Sequence, residues 1–209
     1  MKILICAATP GELAVPMHSH TNTLEKLITG VGIAATAFNM ATYLSNHQPD
    51  VCLMIGIAGS YDRNLSIGTV VNIQEDCFAD LGAENYDGSI IHLTDLLPCD
   101  DTNPFEQKWI KPALFTSMTK AIPVKGITVN KTNGSQHSID QIMHHFNPQV
   151  ESMEGAAFFA SCMYYNIPCM QLRAISNQVQ PRNREAWDIP LAMKHLRLEL
   201  QNILTSLDQ

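Results

Sequence analysis

Two runs decide how this chain reads: Glu151-Ser-Met-Glu-Gly-Ala-Ala-Phe-Phe-Ala160 and Cys169-Met-Gln-Leu-Arg-Ala-Ile-Ser-Asn177. In the first, Glu154 stands at the mouth of a small and aromatic run that reads as a buried helix, ended near Asn166-Ile-Pro168. The second is a short apolar strand that delivers Ser176 and Asn177 at its carboxyl end. Ligands of open α/β sheets bind outside the carboxyl ends of strands. A carboxylate before a helix and a carboxamide after a strand are thus placed to face one pocket.

The same grammar extends in both directions. Ile3 to Ala8 is a continuous apolar run bounded by Thr9-Pro10-Gly11, as expected of a strand covered on both faces, and the loop after it carries Glu12. Leu27-Ile-Thr29 is a second strand, closed by Gly30-Val-Gly32. The spacing predicts a helix over Ile33–Asn46, with Ile33, Ala37, Met40, Ala41 and Leu44 on one stripe. Val51 to Ile57 is the cleanest buried strand and runs into Ala58-Gly59-Ser60. Ile67–Ile73 and Lys125–Asn130 read as further strands, and Ser135 as the cap of a helix reaching about Phe146. A last helix starts near Pro190, with Leu196, Leu200, Ile203, Leu204 and Leu207 on one face. Buried strands alternating with helices predict an α/β fold, three-layered α/β/α around a mixed, largely parallel sheet, in one domain over 1–209. The stretch from Glu75 to about Lys120 is irregular, which in a compact domain points to a functional segment or an interface.

Composition narrows the function. The chain has 209 residues, 45% hydrophobic and 16% charged, an ordinary globular balance. Its 20 acidic and 13 basic residues give a net charge of −7, with no basic run to serve as a nucleic-acid footprint. No apolar run approaches the ~20 residues of a membrane span. The six cysteines form no CxxC pair and read as reduced core residues of a cytosolic protein. Among eight histidines, His18/His20 is the one HxH pair, and no Cys or carboxylate accompanies it at ligand spacing, so no metal is expected. No GxSxG elbow occurs.

Three polar positions remain: Glu12, Glu154, and Arg173 with Asn177 around one strand end. Each has a plain structural reading on its own. Glu12 fits a solvated loop charge, Glu154 a helix-dipole partner, and Arg173 a structural ion pair. Gly30-Val-Gly32 fits a tight turn, because it lacks the third glycine of a dinucleotide fingerprint.

Their order along the chain, however, resembles that of the purine nucleoside phosphorylase/nucleosidase superfamily. Glu12, Thr29-Gly-Val-Gly-Ile-Ala-Ala35, Ile57-Ala-Gly59, Val150-Glu-Ser-Met-Glu154 and Arg173-Ala-Ile-Ser-Asn177 carry the match. Within the superfamily, Ser176-Asn177 in place of the commoner Ser-Asp, together with Pro181-Arg-Asn-Arg-Glu-Ala-Trp-Asp188, is most similar to the futalosine hydrolase family of the alternative menaquinone pathway. The resemblance implies a cytoplasmic nucleosidase with a small purine nucleoside as substrate, no cofactor, and assembly as a homo-oligomer, a dimer or tetramer. It also implies roles. Glu12 would be general base toward water, Glu154 would bind the ribose hydroxyls, Met153 would pack on the sugar, and Arg173 would support Glu12 or the water. Asn177, beside Ser176, would address a hypoxanthine base over Ala58 and Gly59. Trp187 either stacks on that base or anchors the final helix. The loop from Thr9 to His20 has no Arg or Lys for an attacking phosphate, which favours water. A phosphorylase or an adenine-type nucleosidase is the rival enzyme. A non-catalytic nucleoside-binding protein is the rival of another class.

Overall fold

The structure is a computed structural model that describes residues 1–14, 17–115 and 119–209. In chain order its elements are β1 (Lys2–Ala7), α1 (Pro10–Leu13), β2 (Thr23–Ile28), α2 (Ile33–Leu44), β3 (Val51–Ser60) and β4 (Val70–Glu75). A small hairpin follows, β5 (Gly82–Glu84) and β6 (Ile90–His92), then α3 (Leu93–Leu96). The chain ends with β7 (Ile122–Thr128), α4 (Gln136–Phe146), β8 (Val150–Ser152), α5 (Gly155–Tyr164), β9 (Cys169–Gln178) and α6 (Ile189–Ser206).

Seven strands form one sheet in the order β2-β1-β3-β8-β7-β4-β9, and β9 returns to pair with β3. The sheet is therefore mixed and largely parallel, with antiparallel pairing at β3–β8 and β4–β9. It is not an open layer, because β3 closes it. The first half of β3 pairs with β1, its far end with β8, and its other edge with β9. Helices cover both faces, and strand alternation sorts the core between them. Leu4, Cys6, Cys52 and Met54 pack toward α2 and α5, whereas Ile3, Ile5, Leu53 and Ile55 pack toward α6.

Four elements differ from their sequence pattern. The strand expected over Leu27–Thr29 spans Thr23–Ile28. The strand expected from Ile67 begins at Val70, because Gly68 turns with φ 87° and gives its N–H to Ile175 O. The strand expected over Lys125–Asn130 starts earlier and ends at Thr128. The stretch read as irregular holds the β5–β6 hairpin. Ser135 does cap α4, bonding the Ser138 N–H. All six cysteines are free. Among the described residues, no helix is long and apolar enough to cross a membrane, and no cluster of His, Cys, Asp or Glu is placed to hold a metal.

Candidate active site

β1, β3 and β9 run parallel, so their carboxyl ends open at one end of the sheet. A cavity of ≈ 240 Å³ lies there. Glu12, Ala58, Gly59, Met153, Glu154, Arg173, Ser176, Asn177 and Trp187, expected at the site from sequence, all border it.

Glu12 is fixed by a capping box. Thr9 caps α1, and its N–H and Oγ1 both donate to Glu12 Oε2 at 2.9 Å. That occupies one carboxylate oxygen and leaves Oε1 turned toward Gly56. A methyl on Gly56 would come within 3.1 Å of Glu12 Oε1 and 2.5 Å of Arg173 Nη1, so the missing side chain makes room for both groups.

Glu154 immediately precedes α5 and is 5% exposed. Its side chain does not cap that helix. Oε2 lies 3.2 Å from Arg173 Nη1, and Oε1 accepts the Gly32 N–H at 3.1 Å. Gly30 and Gly32 have φ 78° and 91°, a region that favours glycine. The turn that opens α2 thus aims a backbone donor at the protein's own carboxylate.

Arg173, expected to support Glu12 or the water, shares the space over Gly56 with Glu12 Oε1 and forms its ion pair with Glu154. Its Nε and Nη2 donate to Gln171 Oε1 at 3.1 and 3.0 Å. Gln171 Nε2 in turn donates to Asp76 Oδ2 at 3.1 Å, and Asp76 Oδ1 accepts from Thr128 Oγ1 and the Cys77 N–H. A buried line of polar groups therefore runs from Asp76 through Gln171 and Arg173 to Glu154. Burial pushes the Asp76 carboxyl up to about 6, against the pull of these donors and of the Arg173 charge.

The β3–β9 register shifts after Ala58: Ala58 faces Ile175 while Gly59 faces Asn177, so Ser176 is the extra residue of a bulge. Such bulges re-aim side chains. Here Ser176 and Asn177 both reach the cavity despite being consecutive. Ser176 Oγ donates to Asn177 Oδ1 at 2.9 Å, and Asn177 Nδ2 donates to Gln178 O at 3.2 Å. A carboxamide nitrogen has two N–H groups, so one is left without a protein acceptor among the described residues. The Asp188 N–H donates to Ser176 O, tying the Trp187 segment over this strand end.

Several site groups lie outside the sequence expectations. Glu151 borders the cavity, with Tyr61 and Asn133 bonded to it. The spacing Thr9-x-x-Glu12 is a capping-box signature and carries the signal for Thr9. Asn133 reads in sequence as a turn residue, and Asp76 and Gln171 sit at strand positions with no local mark.

The family model for the phosphorylase superfamily matches residues 11–207. The chain belongs to the phosphorylase superfamily. Among its superfamily relatives, the futalosine hydrolase of Acidothermus cellulolyticus is 32% identical over 184 residues, covering 85% of this chain and 73% of the relative. The futalosine hydrolase of Thermus thermophilus is 25% identical over 181 residues, covering 85% and 80%. In fold, the chain superposes on a 5′-methylthioadenosine/S-adenosylhomocysteine nucleosidase of Colwellia psychrerythraea, solved in complex with adenine. The TM-score is 0.76 at 19% identity over 99% of this chain and 96% of the other.

Proposed function

We propose that this protein hydrolyses the N-glycosidic bond of futalosine and releases hypoxanthine. One observation carries the reading: two carboxylates, Glu12 and Glu154, share a single cavity with the Asn177 carboxamide. The futalosine hydrolase relatives support the substrate.

Cleavage of an N-ribosidic bond builds positive charge on the sugar and negative charge on the departing base, as in glycoside hydrolysis. Glu12 Oε1, left open while Thr9 holds Oε2, takes a proton from water as that water attacks the anomeric carbon. Glu154 accepts the ribose hydroxyls and keeps its place because Arg173 and Gly32 hold it from behind. Met153 packs on the sugar. The spare N–H of Asn177 donates to the purine at N7 or O6, where charge builds, with Ala58 and Gly59 as floor and Trp187 at the rim. Arg173 is committed to Glu154 and Gln171, which supports water over phosphate as nucleophile.

The test is base release from futalosine in phosphate-free buffer. Hypoxanthine is expected without added phosphate. Strict phosphate dependence would reverse the assignment to a phosphorylase. An inert Glu12→Gln variant that still binds nucleoside would exclude a mere binding protein.

A further inference from the structure

The chemistry above leaves one buried carboxylate of the cavity without a task. Gly59 of β3 pairs with Glu151 on one side and with Asn177 on the other. A methyl at Gly59 would lie 3.2 Å from Asn177 Nδ2 and 3.6 Å from Glu151 Cγ, so the two side chains flank the same glycine, and both border the cavity. Glu151 is 5% exposed and makes no ion pair among the described residues. Tyr61 O–H and Asn133 Nδ2 donate to its Oε2 at 2.7 and 2.9 Å. Its Oε1 accepts one long bond, from the Asn133 N–H at 3.3 Å, and keeps lone-pair capacity on a residue that borders the cavity. A carboxylate buried with neutral donors alone is costly to keep, and a ligand hydrogen at Oε1 would offset that cost.

Purines differ at this edge. A 6-oxopurine presents acceptors at N7 and O6 and a donor at N1. A 6-aminopurine presents a donor at N6 and a lone pair at N1. We propose that Glu151 is the specificity-determining residue for the base: its carboxylate accepts the N1–H of a 6-oxopurine while the spare N–H of Asn177 donates at N7 or O6, and its lone pairs repel N1 of a 6-aminopurine. This deepens the nucleosidase reading and rests on it.

The test titrates free hypoxanthine, adenine and 1-deazahypoxanthine, in which C–H replaces N1–H, onto the wild type and Glu151→Gln. The wild type should favour hypoxanthine over adenine about 10²-fold, and the deaza analogue should lose about tenfold or more. Glu151→Gln, whose amide can donate to adenine N1, should narrow the hypoxanthine–adenine ratio about tenfold. An unchanged ratio in a folded variant overturns the proposal, as does a deaza analogue that binds like hypoxanthine. The analogue arm needs no variant and decides the matter if Glu151→Gln does not fold. Futalosine turnover in the same preparations separates the two readings. Cleavage without discrimination at N1 removes the role of Glu151 alone. No cleavage and no base binding removes both.

Discussion

Glu151 and Glu154 lie on the same cavity wall, each 5% exposed, and the chain holds them in opposite ways. Glu154 has a cation at 3.2 Å and a backbone donor at 3.1 Å. Glu151 has three neutral donors, from Tyr61 and Asn133. Burial therefore pushes the Glu151 carboxyl up despite those donors. The contrast separates two tasks. In the proposed reaction a positive charge develops at the sugar, and the ion pair fixes Glu154 as the anion that would meet it. At the proposed base end the carboxylate would be completed by a hydrogen that the ligand brings, which suits recognition.

The largest expected effect sharpens that division. Glu12→Gln should lower kcat about 10²- to 10⁴-fold, the range of a positioned general base, while hypoxanthine affinity stays unchanged in the same protein. Steady-state kinetics alongside base titration checks it. Loss of base affinity together with turnover would mean the two ends are not separable. Next is Arg173→Met, which strands Glu154 as an unpaired buried charge. Breaking such a pair costs about 3–5 kcal/mol, read as a lower urea midpoint. A variant as stable as the wild type would show that the Glu154 end is no more dependent on its cation than the Glu151 end.

Much of this arrangement was legible in the sequence, and the reason is local. Val51–Gly59 and Cys169–Asn177 are apolar runs, the first ending in small residues and the second in Ser176-Asn177, so their strand character follows from pattern alone, whereas the grouping of Glu12, Glu154 and Asn177 into one candidate site came from the family resemblance. Glu12 and Glu154 were visible as acids beside apolar segments. What the pattern does not carry is closure. Pairing of β3 with both β8 and β9 brings Glu151 and Asn177 to either side of Gly59, although they come from different strands. The bulge at Ser176 also breaks the two-residue period on which strand reading relies. Gln171 and Asp76 sit far apart in the chain and meet under Gly155, where a side chain would overlap both. No short-range spacing announces that contact.

Asp76 provides an intermediate case between the two glutamates, since Arg173 reaches it through Gln171. Its carboxyl is raised from 3.8 to about 6 by burial. The folded form thus binds the proton more tightly than the unfolded chain. The stability it contributes is present below about pH 4 and is lost as pH rises through about 6. The shift corresponds to roughly 3 kcal/mol. Asp76→Asn should remove this dependence, so the wild type loses stability relative to the variant between about pH 4 and pH 7. Urea midpoints of both proteins across that range measure it. Parallel curves would mean that Arg173 already compensates Asp76, as it does Glu154.

The smallest effect bears on Glu151 itself. Tyr61→Phe keeps the ring and deletes the O–H that donates to Glu151 Oε2 at 2.7 Å. Hydrogen bonds to charged groups are worth about 2 kcal/mol, and Asn133 remains as a partial substitute. The sign with pH follows from the direction of the shift. The Tyr61 donor pulls the Glu151 carboxyl down against burial, so its loss lets that carboxyl rise further. A group raised in the folded state favours folding while protonated and loses that advantage as pH rises through its folded value. The deficit of Tyr61→Phe should therefore be largest at about pH 8 and shrink toward about pH 4, where the carboxyl is neutral and no longer requires the donor. Added hypoxanthine should recover part of the deficit at about pH 8, because in the proposed pairing its N1–H supplies a replacement donor. A deficit that is flat with pH and indifferent to hypoxanthine would make Tyr61 a packing residue. Glu151 would then be a carboxylate held as rigidly as Glu154, and the contrast between the two ends of the cavity would disappear.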